Sequence, residues 1–108
     1  MFKEFKGALT EQYVLQQLKT VPGIEAYYWT NERNTSELDF LLDVGNAVVP
    51  LEVKAEISLQ SKSLRAFVDK FNPSVSVRSS MADYKQEGWL LNLPLYAIGN
   101  ILSCIKDS

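Results

Sequence analysis

Histidine is absent from this chain of 108 residues, and cysteine occurs once, at Cys104. The absence of histidine excludes Ser-His-Asp and Cys-His catalysis and every metal site that needs an imidazole ligand. A single thiol also excludes an intrachain disulfide and a zinc cluster held by several thiolates. Any chemistry of this chain must therefore use carboxylates, lysine, arginine or hydroxyl groups.

Long apolar runs and the glycine pattern of nucleotide-binding loops are missing as well. The longest apolar stretch, 89–102, is interrupted by asparagine, proline and glycine, whereas a membrane span needs about 20 residues. The N-terminus lacks the apolar run of a signal peptide. No glycines have the spacing before Lys-Ser or Lys-Thr that a P-loop requires. We therefore expect a cytoplasmic protein without a membrane segment, which does not hydrolyse nucleotides by itself.

The chain has no excess of positive charge, since its formal net charge is −2. This excludes a histone-like binder of polyanions, so any contact with nucleic acid must come from a local basic face. Apolar residues make up 46% of the sequence, which suffices for one modest core at this length. We expect a single domain over residues 1–108.

Apolar periodicity predicts an α/β domain. Apolar residues have helical spacing over residues 8–20. A second helix is predicted to begin after a capping serine, Ser58 or Ser61, and to end at about Phe71. The apolar stripe of the second helix is Leu64, Phe67, Val68 and Phe71. Strands are predicted at 26–30, 37–43, 47–54, 75–79 and 89–98, with a loop at 81–88. The expected order is helix, three strands, helix, two strands, with a central mixed sheet flanked by helices.

The pair Gly45-Asn46 is a turn signal between two predicted strands, and a two-residue hairpin loop fixes which residues face each other. Extended outward from this turn, the register puts Asp39 opposite Glu52, with their Cβ atoms roughly 4.5–5.5 Å apart. Lys54 follows two residues after Glu52 and points to the same face. Two acids in this position repel each other, which is tolerated when a cation lies between them or one carboxyl is protonated.

Oxygen ligands of this kind suit Mg²⁺ or Mn²⁺ and not zinc. We expect Asp39, Glu52 and the Val53 carbonyl to hold such an ion, with Glu11 of the first helix binding directly or through water. The ion would polarise a phosphoryl oxygen and activate a water molecule. Lys54 would orient that water or stabilise charge in the transition state, so the candidate catalytic residues are Asp39, Glu52 and Lys54.

The pattern Glu11 … Leu38-Asp39-Phe40 … Leu51-Glu52-Val53-Lys54 resembles the PD-(D/E)XK nuclease superfamily. The resemblance implies a restriction-endonuclease-like fold and a metal-dependent phosphodiesterase that acts on DNA, or a DNA-binding module of the same ancestry. It also implies a basic helix after the motif, whose Lys62 and Arg65 would contact DNA. Position 38 is leucine, where the superfamily name has proline.

Several segments are also similar to a bacterial and archaeal domain of unknown function that commonly forms the C-terminal part of AAA-type ATPases. They are 6–11, Tyr28-Trp29, 37–42, 50–54 and 93–98, and the similarity covers about residues 6–102. This similarity implies an AAA-type ATPase partner in the same chain or in another. We expect the chain to be the C-terminal part of a larger ATPase, with a free-standing relative as the alternative.

Each assignment also has a purely structural alternative. Asp39 and Glu52 fit a solvent-exposed sheet face, and Lys54 fits an exposed ion pair with Glu37, which lies opposite it in the same register. Glu11 fits the boundary of the core. The basic residues of the second helix fit a solvated face. The aromatic segment 27–29 fits sheet packing better than base stacking.

At the level of the domain, the alternative function is a non-catalytic interaction or dimerisation module of an ATPase. Such a module needs a contiguous exposed apolar patch, and 89–102 is the best candidate for it. A structural remnant with an inactive site is a third interpretation, because fold and activity separate readily.

Overall fold

The computed structural model describes residues 2–29, 38–55 and 62–106, and the side chains within 6–28, 40–55 and 64–105. The predicted alternation of helices and strands is present, with additions near the C-terminus. The elements are α1 (Phe2–Lys19), β1 (Glu25–Trp29), β2 (Leu38–Asp43), β3 (Val48–Val53), α2 (Lys62–Phe71), β4 (Val77–Ser80), β5 (Lys85–Glu87), β6 (Leu90–Pro94), a 3-10 helix (Leu95–Asn100) and α3 (Ile101–Lys106).

The strands form one mixed sheet of six, in the order β1-β2-β3-β4-β6-β5. The first three strands pair antiparallel, β3 to β4 and β4 to β6 pair parallel, and β5 pairs antiparallel with β6. Parallel pairing of β3 with β4 requires a crossover, and α2 lies in that connection. The expectation of an α/β domain with a mixed sheet and flanking helices is therefore confirmed.

One face of the sheet, the core face, carries the main hydrophobic core. On β3, the alternate residues Val49, Leu51 and Val53 lie in this core, as the pleat of a strand requires. Val14 and Leu18 of α1 pack against them. The rest of the buried cluster is Phe40, Leu42, Val77, Leu91, Leu93, Ile98 and Ile101. Helix α1, the 3-10 helix and α3 thus cover the core face.

The opposite face, here the α2 face, is polar at its centre. Residues of β3, β4 and β6 that alternate with the core positions are nonetheless buried there, among them Glu52, Arg78 and Asn92. Helix α2 contacts β3, and its Leu64 and Phe67 are buried outside the main cluster. The sheet therefore has an apolar layer on one face and a buried polar row under α2 on the other.

The hairpin between β2 and β3 has the predicted two-residue turn. The amide of Val44 donates to the carbonyl of Ala47 over 3.1 Å, and Gly45 has a φ of +96°. A positive φ at the first central residue only is the geometry of a type II′ turn, which favours glycine there. The amide of Gly45 also donates to Asp43 Oδ1 over 2.9 Å. The turn thus fixes the register of both strands.

The C-terminal part differs from the sequence prediction in two places. The segment 81–88, expected as a loop, contains β5, which pairs with β6 as an edge strand. Its three polar residues give no apolar alternation, so backbone pairing alone defines the strand. The strand expected at 89–98 ends at Pro94, where the chain enters the 3-10 helix and then α3. Proline has no amide proton to continue a ladder.

The helices also differ in detail from their predicted limits. Helix α1 begins at Phe2, earlier than the predicted residue 8. Its end at Lys19 is followed by the amides of Thr20 and Val21, which donate to the carbonyls of Gln17 and Leu18, and then by Pro22, which cannot donate. In α2, Leu64 and Phe67 are buried as expected, but Phe71 is 57% exposed. The ring of Phe71 packs on that of Phe67 at the helix end, with 4.7 Å between centroids.

Candidate functional site

The predicted pairing of the two motif strands is confirmed. In the β2–β3 ladder Asp39 is opposite Glu52, and Leu38 is opposite Val53. The side chain of Asp39 lies outside the described part of the structure, and Glu37, the expected partner of Lys54, lies outside the described residues altogether. The backbone therefore brings positions 39 and 52 together on one face.

Glu52 is fully buried, with 0% of its surface exposed. Its neighbours along β3 belong to the core face, so its side chain belongs to the α2 face. Burial of an ionised carboxylate costs several kcal/mol unless a cation or hydrogen bonds compensate for the lost water. The alternative interpretation of Glu52 as a solvent-exposed strand residue is therefore wrong.

Lys54 lies just beyond β3, and its side chain is half-buried. Its backbone amide donates to the carbonyl of Ser79 over 2.9 Å, which continues the β3–β4 ladder past the strand end. Val53, whose carbonyl is an expected metal ligand, is the last residue of β3 and pairs with Ser79. Lys54 is thus held two positions after Glu52 by sheet pairing.

A row of polar residues continues from Glu52 across the sheet. Glu52 is opposite Arg78 on β4, Arg78 is opposite Asn92 on β6, and Asn92 is opposite Lys85 on β5. Together with Asp39 these five paired positions are named the polar row. Arg78 is only 6% exposed and Asn92 is buried as well. The two central strands of the sheet therefore present a buried guanidinium next to a buried carboxylate.

Asn92 is the hub of the hydrogen bonds in this row. Its Oδ1 accepts from Arg78 Nε over 2.9 Å and from Ser80 Oγ over 2.8 Å. Its Nδ2 donates to the carbonyls of Ala82 and Asp83 over 3.1 and 2.9 Å. One side chain thus fixes the orientation of Arg78 and the path of the chain after β4.

Arg78 and Asn92 are not among the site residues predicted from the sequence. A usable signal was present for Asn92, which lies between Leu91 and Leu93 in an apolar strand, whereas Arg78 lies in a strand with two serines and gives no such contrast. Such residues are buried only when they are hydrogen-bonded or paired. Their meeting with Glu52 depends on parallel pairing between distant strands, which the sequence pattern does not specify.

Glu11 approaches the sheet from the other side. It lies on α1, which packs against the core face through Val14 and Leu18. Its carboxyl is half-buried, and desolvation by burial raises its pKa above the ordinary value. Helix α1, which carries Glu11, therefore lies on the core face, whereas the side chain of Glu52 is on the α2 face. No contact among the described residues brings the two carboxylates together.

The expected DNA-contacting residues lie on α2. Lys62 is the first residue of the helix, and its side chain lies outside the described part. Arg65 is exposed, with its Nε 3.8 Å from Asp69 Oδ2 and its guanidinium carbon 5.7 Å from the centroid of the Trp89 ring. Arg65 thus links α2 to the turn before β6 and presents a cation beside an aromatic ring.

The candidate metal ligands are all oxygen donors, and their chemistry indicates which ion they suit. Carboxylates at positions 39 and 52 and the Val53 carbonyl are hard oxygen donors of the kind that Mg²⁺ and Mn²⁺ prefer. Among the side chains that the structure describes, no three His, Cys, Asp or Glu residues cluster closely enough to hold a metal ion. The side chain of Asp39 is not among those described. The oxygen donors suit a hard cation, and a metal site here requires the Asp39 carboxylate in addition to Glu52.

The segment 89–102, expected as the surface of an interaction module, is largely buried. The tail 89–102 is not an apolar patch, because it supplies Leu90, Leu91, Leu93, Ile98 and Ile101 to the buried interior. Leu90, Leu91 and Leu93 are buried because β6 is an inner strand of the sheet. Ile98 and Ile101 are buried because the helices after Pro94 pack on the core face.

Tyr27 and Tyr28 of the first strand are 54% and 53% exposed, so they are not core residues. The expected sheet packing is present at Tyr28, whose ring centroid lies 5.1 Å from that of Phe40.

The fold and the site together define a small mixed α/β domain with a buried polar row beneath a crossover helix. Over residues 6–96 the chain matches the family described as a domain of unknown function (DUF4143), and it belongs to that family. No matching curated protein was found, and no solved structure matches either. None of the described helices combines the length and the apolar character needed to cross a membrane.

Proposed function

We propose that this domain is a PD-(D/E)XK-like module that binds DNA and hydrolyses its phosphodiester bonds with Mg²⁺ or Mn²⁺, in association with an AAA-type ATPase. The observation that carries the proposal is the register of the β2–β3 hairpin, which pairs Asp39 with Glu52 and sets Lys54 two positions further. The mixed sheet and the helix that follows the motif strand support a restriction-endonuclease-like arrangement. The link to the ATPase is supported by the sequence resemblance alone.

The residues of the chain have distinct roles in this reaction. When bound, the divalent ion supplies positive charge to a phosphoryl oxygen and makes a water molecule more acidic. Asp39, Glu52 and the Val53 carbonyl would hold it. The ammonium group of Lys54 stabilises the charge that develops on the phosphoryl oxygens, and Lys62 and Arg65 contact the DNA backbone.

Metal binding is tested first by thermal unfolding of the full chain with and without millimolar Mn²⁺ or Mg²⁺. An ion at about 100 times its Kd stabilises the native state by about 2.7 kcal/mol, which raises the melting temperature by several degrees. We expect Glu52→Gln to abolish this rise. Glu25→Gln is the matched control, because Glu25 is an exposed carboxylate on β1. Unchanged melting of the wild type across the metal series would remove the proposed metal function.

Catalysis is tested separately through Lys54. We expect Lys54→Ala to retain the metal-induced rise in melting temperature and to lose cleavage of plasmid DNA, because the ammonium group acts on the phosphate and not on the ion. Lys85→Ala is the control, since Lys85 is an exposed lysine at the edge of the same polar row. Equal cleavage by the wild type and Lys54→Ala would show that another site or a contaminant cuts the DNA.

A non-catalytic interaction module is the second candidate, and the exposed tyrosines of β1 favour it. Strand β1 is at one edge of the sheet, and Tyr27 and Tyr28 are both more than half exposed. An edge strand with exposed aromatic residues can pair with a second copy of the chain. A dimer in sedimentation equilibrium that Tyr27→Lys dissociates, without any effect of metal on melting, would support this function over the first.

A further inference from the structure

The polar row contains a charged residue for which the proposed mechanism has no role. Arg78 lies on β4, the strand that pairs with β3 on the side away from Asp39, and it is opposite Glu52 in that ladder. Neighbouring strands are about 4.8 Å apart, so a long side chain on one reaches across to its neighbour on the same face. Glu52 is fully buried and Arg78 nearly so. The two residues thus bring opposite charges into one solvent-poor layer.

The orientation of Arg78 is fixed from the other side. Asn92 lies opposite Arg78 on β6 and accepts a hydrogen bond from its Nε over 2.9 Å. Asn92 is itself held by Ser80 Oγ and by the carbonyls of Ala82 and Asp83. A guanidinium held at Nε keeps its plane, whereas an unanchored arginine has many rotamers. Asn92 therefore determines where the charge of Arg78 lies.

We propose that Arg78, anchored through Nε by Asn92, is the positioning residue for the Glu52 carboxylate. The inference rests on the proposed function, in which Glu52 holds the metal ion. Arg78 would offset the loss of water around Glu52 and hold the carboxylate in a single orientation toward the ion. Residues that orient a metal ligand typically change metal affinity by about 10–100-fold when they are mutated.

The test is calorimetric titration of Mn²⁺ into the full chain, with the wild type compared to Asn92→Ala and Arg78→Lys. Both variants leave every proposed metal ligand in place. Asn92→Ala removes the anchor, and Arg78→Lys keeps the positive charge but loses the planar group and its Nε donor. We expect Mn²⁺ affinity to fall by about tenfold or more in each variant. Lys19→Arg, an exchange between the same two residue types at an exposed position of α1, should stay within about twofold of the wild type.

Affinity is measured on protein that circular dichroism shows to be folded, so a loss of stability alone does not count. An unchanged Mn²⁺ affinity in folded Asn92→Ala and Arg78→Lys overturns the inference, because a purely structural role lowers the melting temperature and leaves the affinity intact. If Asn92→Ala does not fold, Ser80→Ala replaces it, since this change removes one of the two hydrogen bonds to Asn92 Oδ1.

A second measurement separates failure of this inference from failure of the metal function. The unfolding equilibrium constants of Glu52→Gln, Arg78→Met and the double variant form a cycle that needs no metal. If the wild type binds no Mn²⁺, the proposed metal function fails. In that case, an unfolding equilibrium constant of the double variant that differs by about tenfold or more from the product of the two single effects would still support Arg78 as the partner that orients Glu52. Additive effects would overturn the positioning role as well.

Discussion

Ser79 and Ser80 are neighbours in β4 whose hydroxyl groups have opposite surroundings. Both residues are fully buried. Ser80 Oγ donates to Asn92 Oδ1 and accepts the amide of Ala82, whereas Ser79 Oγ has no hydrogen-bond partner within the described part of the chain. A buried hydroxyl that lacks a partner retains its full desolvation cost, and a bonded one does not. The same substitution should therefore act in opposite directions at the two positions.

We expect Ser79→Ala to raise the free energy of unfolding by about 1 kcal/mol and Ser80→Ala to lower it by about 1–2 kcal/mol. The first change removes a polar group that is costly to bury. The second leaves the amide of Ala82 without its acceptor and weakens the hold on Asn92. Urea denaturation at neutral pH measures both values, and a shift of equal sign in the two variants would contradict the assignment.

Tyr27 offers a test of local electrostatics that is independent of the site. Its hydroxyl donates to Glu25 Oε2 over 3.0 Å, and this hydrogen bond, together with the charges of Glu25 and Asp43, raises the pKa of Tyr27 above its ordinary value of 10.0. Because the pKa of Tyr27 is higher in the folded state, the protonated phenol stabilises the folded state, and this contribution is fully present at pH values below the unfolded-state pKa. It is lost as the pH rises through the folded pKa.

We expect Glu25→Gln to lower the pKa of Tyr27 toward the ordinary tyrosine value, because the ionised acceptor is removed. A pH titration of the tyrosine ring carbons by NMR measures this pKa directly. Tyr28→Phe serves as the control, since it removes the neighbouring phenol and leaves Glu25 in place. A Tyr27 pKa that does not change in Glu25→Gln would show that the hydrogen bond does not form in solution.

At the scale of single elements, the first turns of α2 pack against the sheet and its C-terminal end is exposed. Leu64 and Phe67 are buried against the sheet, while Phe71 at the last position is mostly exposed. Lys70 lies over the Phe71 ring, with its Nζ 5.3 Å from the centroid. The periodicity of the sequence predicts a four-residue stripe, but the helix leaves the sheet before its last turn is covered.

We expect Leu64→Ala to lower the free energy of unfolding by about 2–4 kcal/mol, because it leaves a cavity in the layer that covers the polar row. Phe71→Ala should change it by less than about 1 kcal/mol, since its ring is already in contact with water. Chemical denaturation of the two variants under one set of conditions decides the point. Equal losses would show that the end of α2 packs more tightly than its exposure indicates.

The elements that the sequence predicts well are those that local chemistry determines. Gly45-Asn46 identifies the hairpin turn, and the turn by itself is sufficient to predict the pairing of Asp39 with Glu52. Strand β5 is different, because Lys85–Glu87 has no apolar pattern and becomes a strand only by pairing with β6. The end of β6 at Pro94 follows from the missing amide proton of proline, a local rule that predicts an earlier end than residue 98.

At the scale of the whole molecule, the C-terminal helices complete the core. The family match ends at residue 96, but Ile98 of the 3-10 helix and Ile101 of α3 are both fully buried in the main cluster. Helix α1 contacts the 3-10 helix, so the first and the later helices of the described part meet on the core face. The described fold therefore continues beyond the matched residues.

We expect a chain that ends after Tyr96 to show no cooperative thermal transition, because it exposes the core that the two isoleucines cover. Tyr96→Ala in the full-length chain should melt close to the wild type, since this side chain is 79% exposed. Circular dichroism during heating distinguishes the two outcomes. A cooperative transition in the truncated chain would mean that the fold does not need residues 97–108.

The junction of β3 with β4 also bears on the order in which the sheet assembles. Strands β2 and β3 are joined by a two-residue turn, whereas β3 and β4 are separated in the sequence by residues 54–76, which include α2. Bringing β4 next to β3 closes a longer loop, which costs more chain entropy before the contacts between the two strands form. The antiparallel half of the sheet should therefore form early in folding and the parallel half later. Glu52 and Arg78, which lie on either side of this seam, then become neighbours only in the last step of collapse.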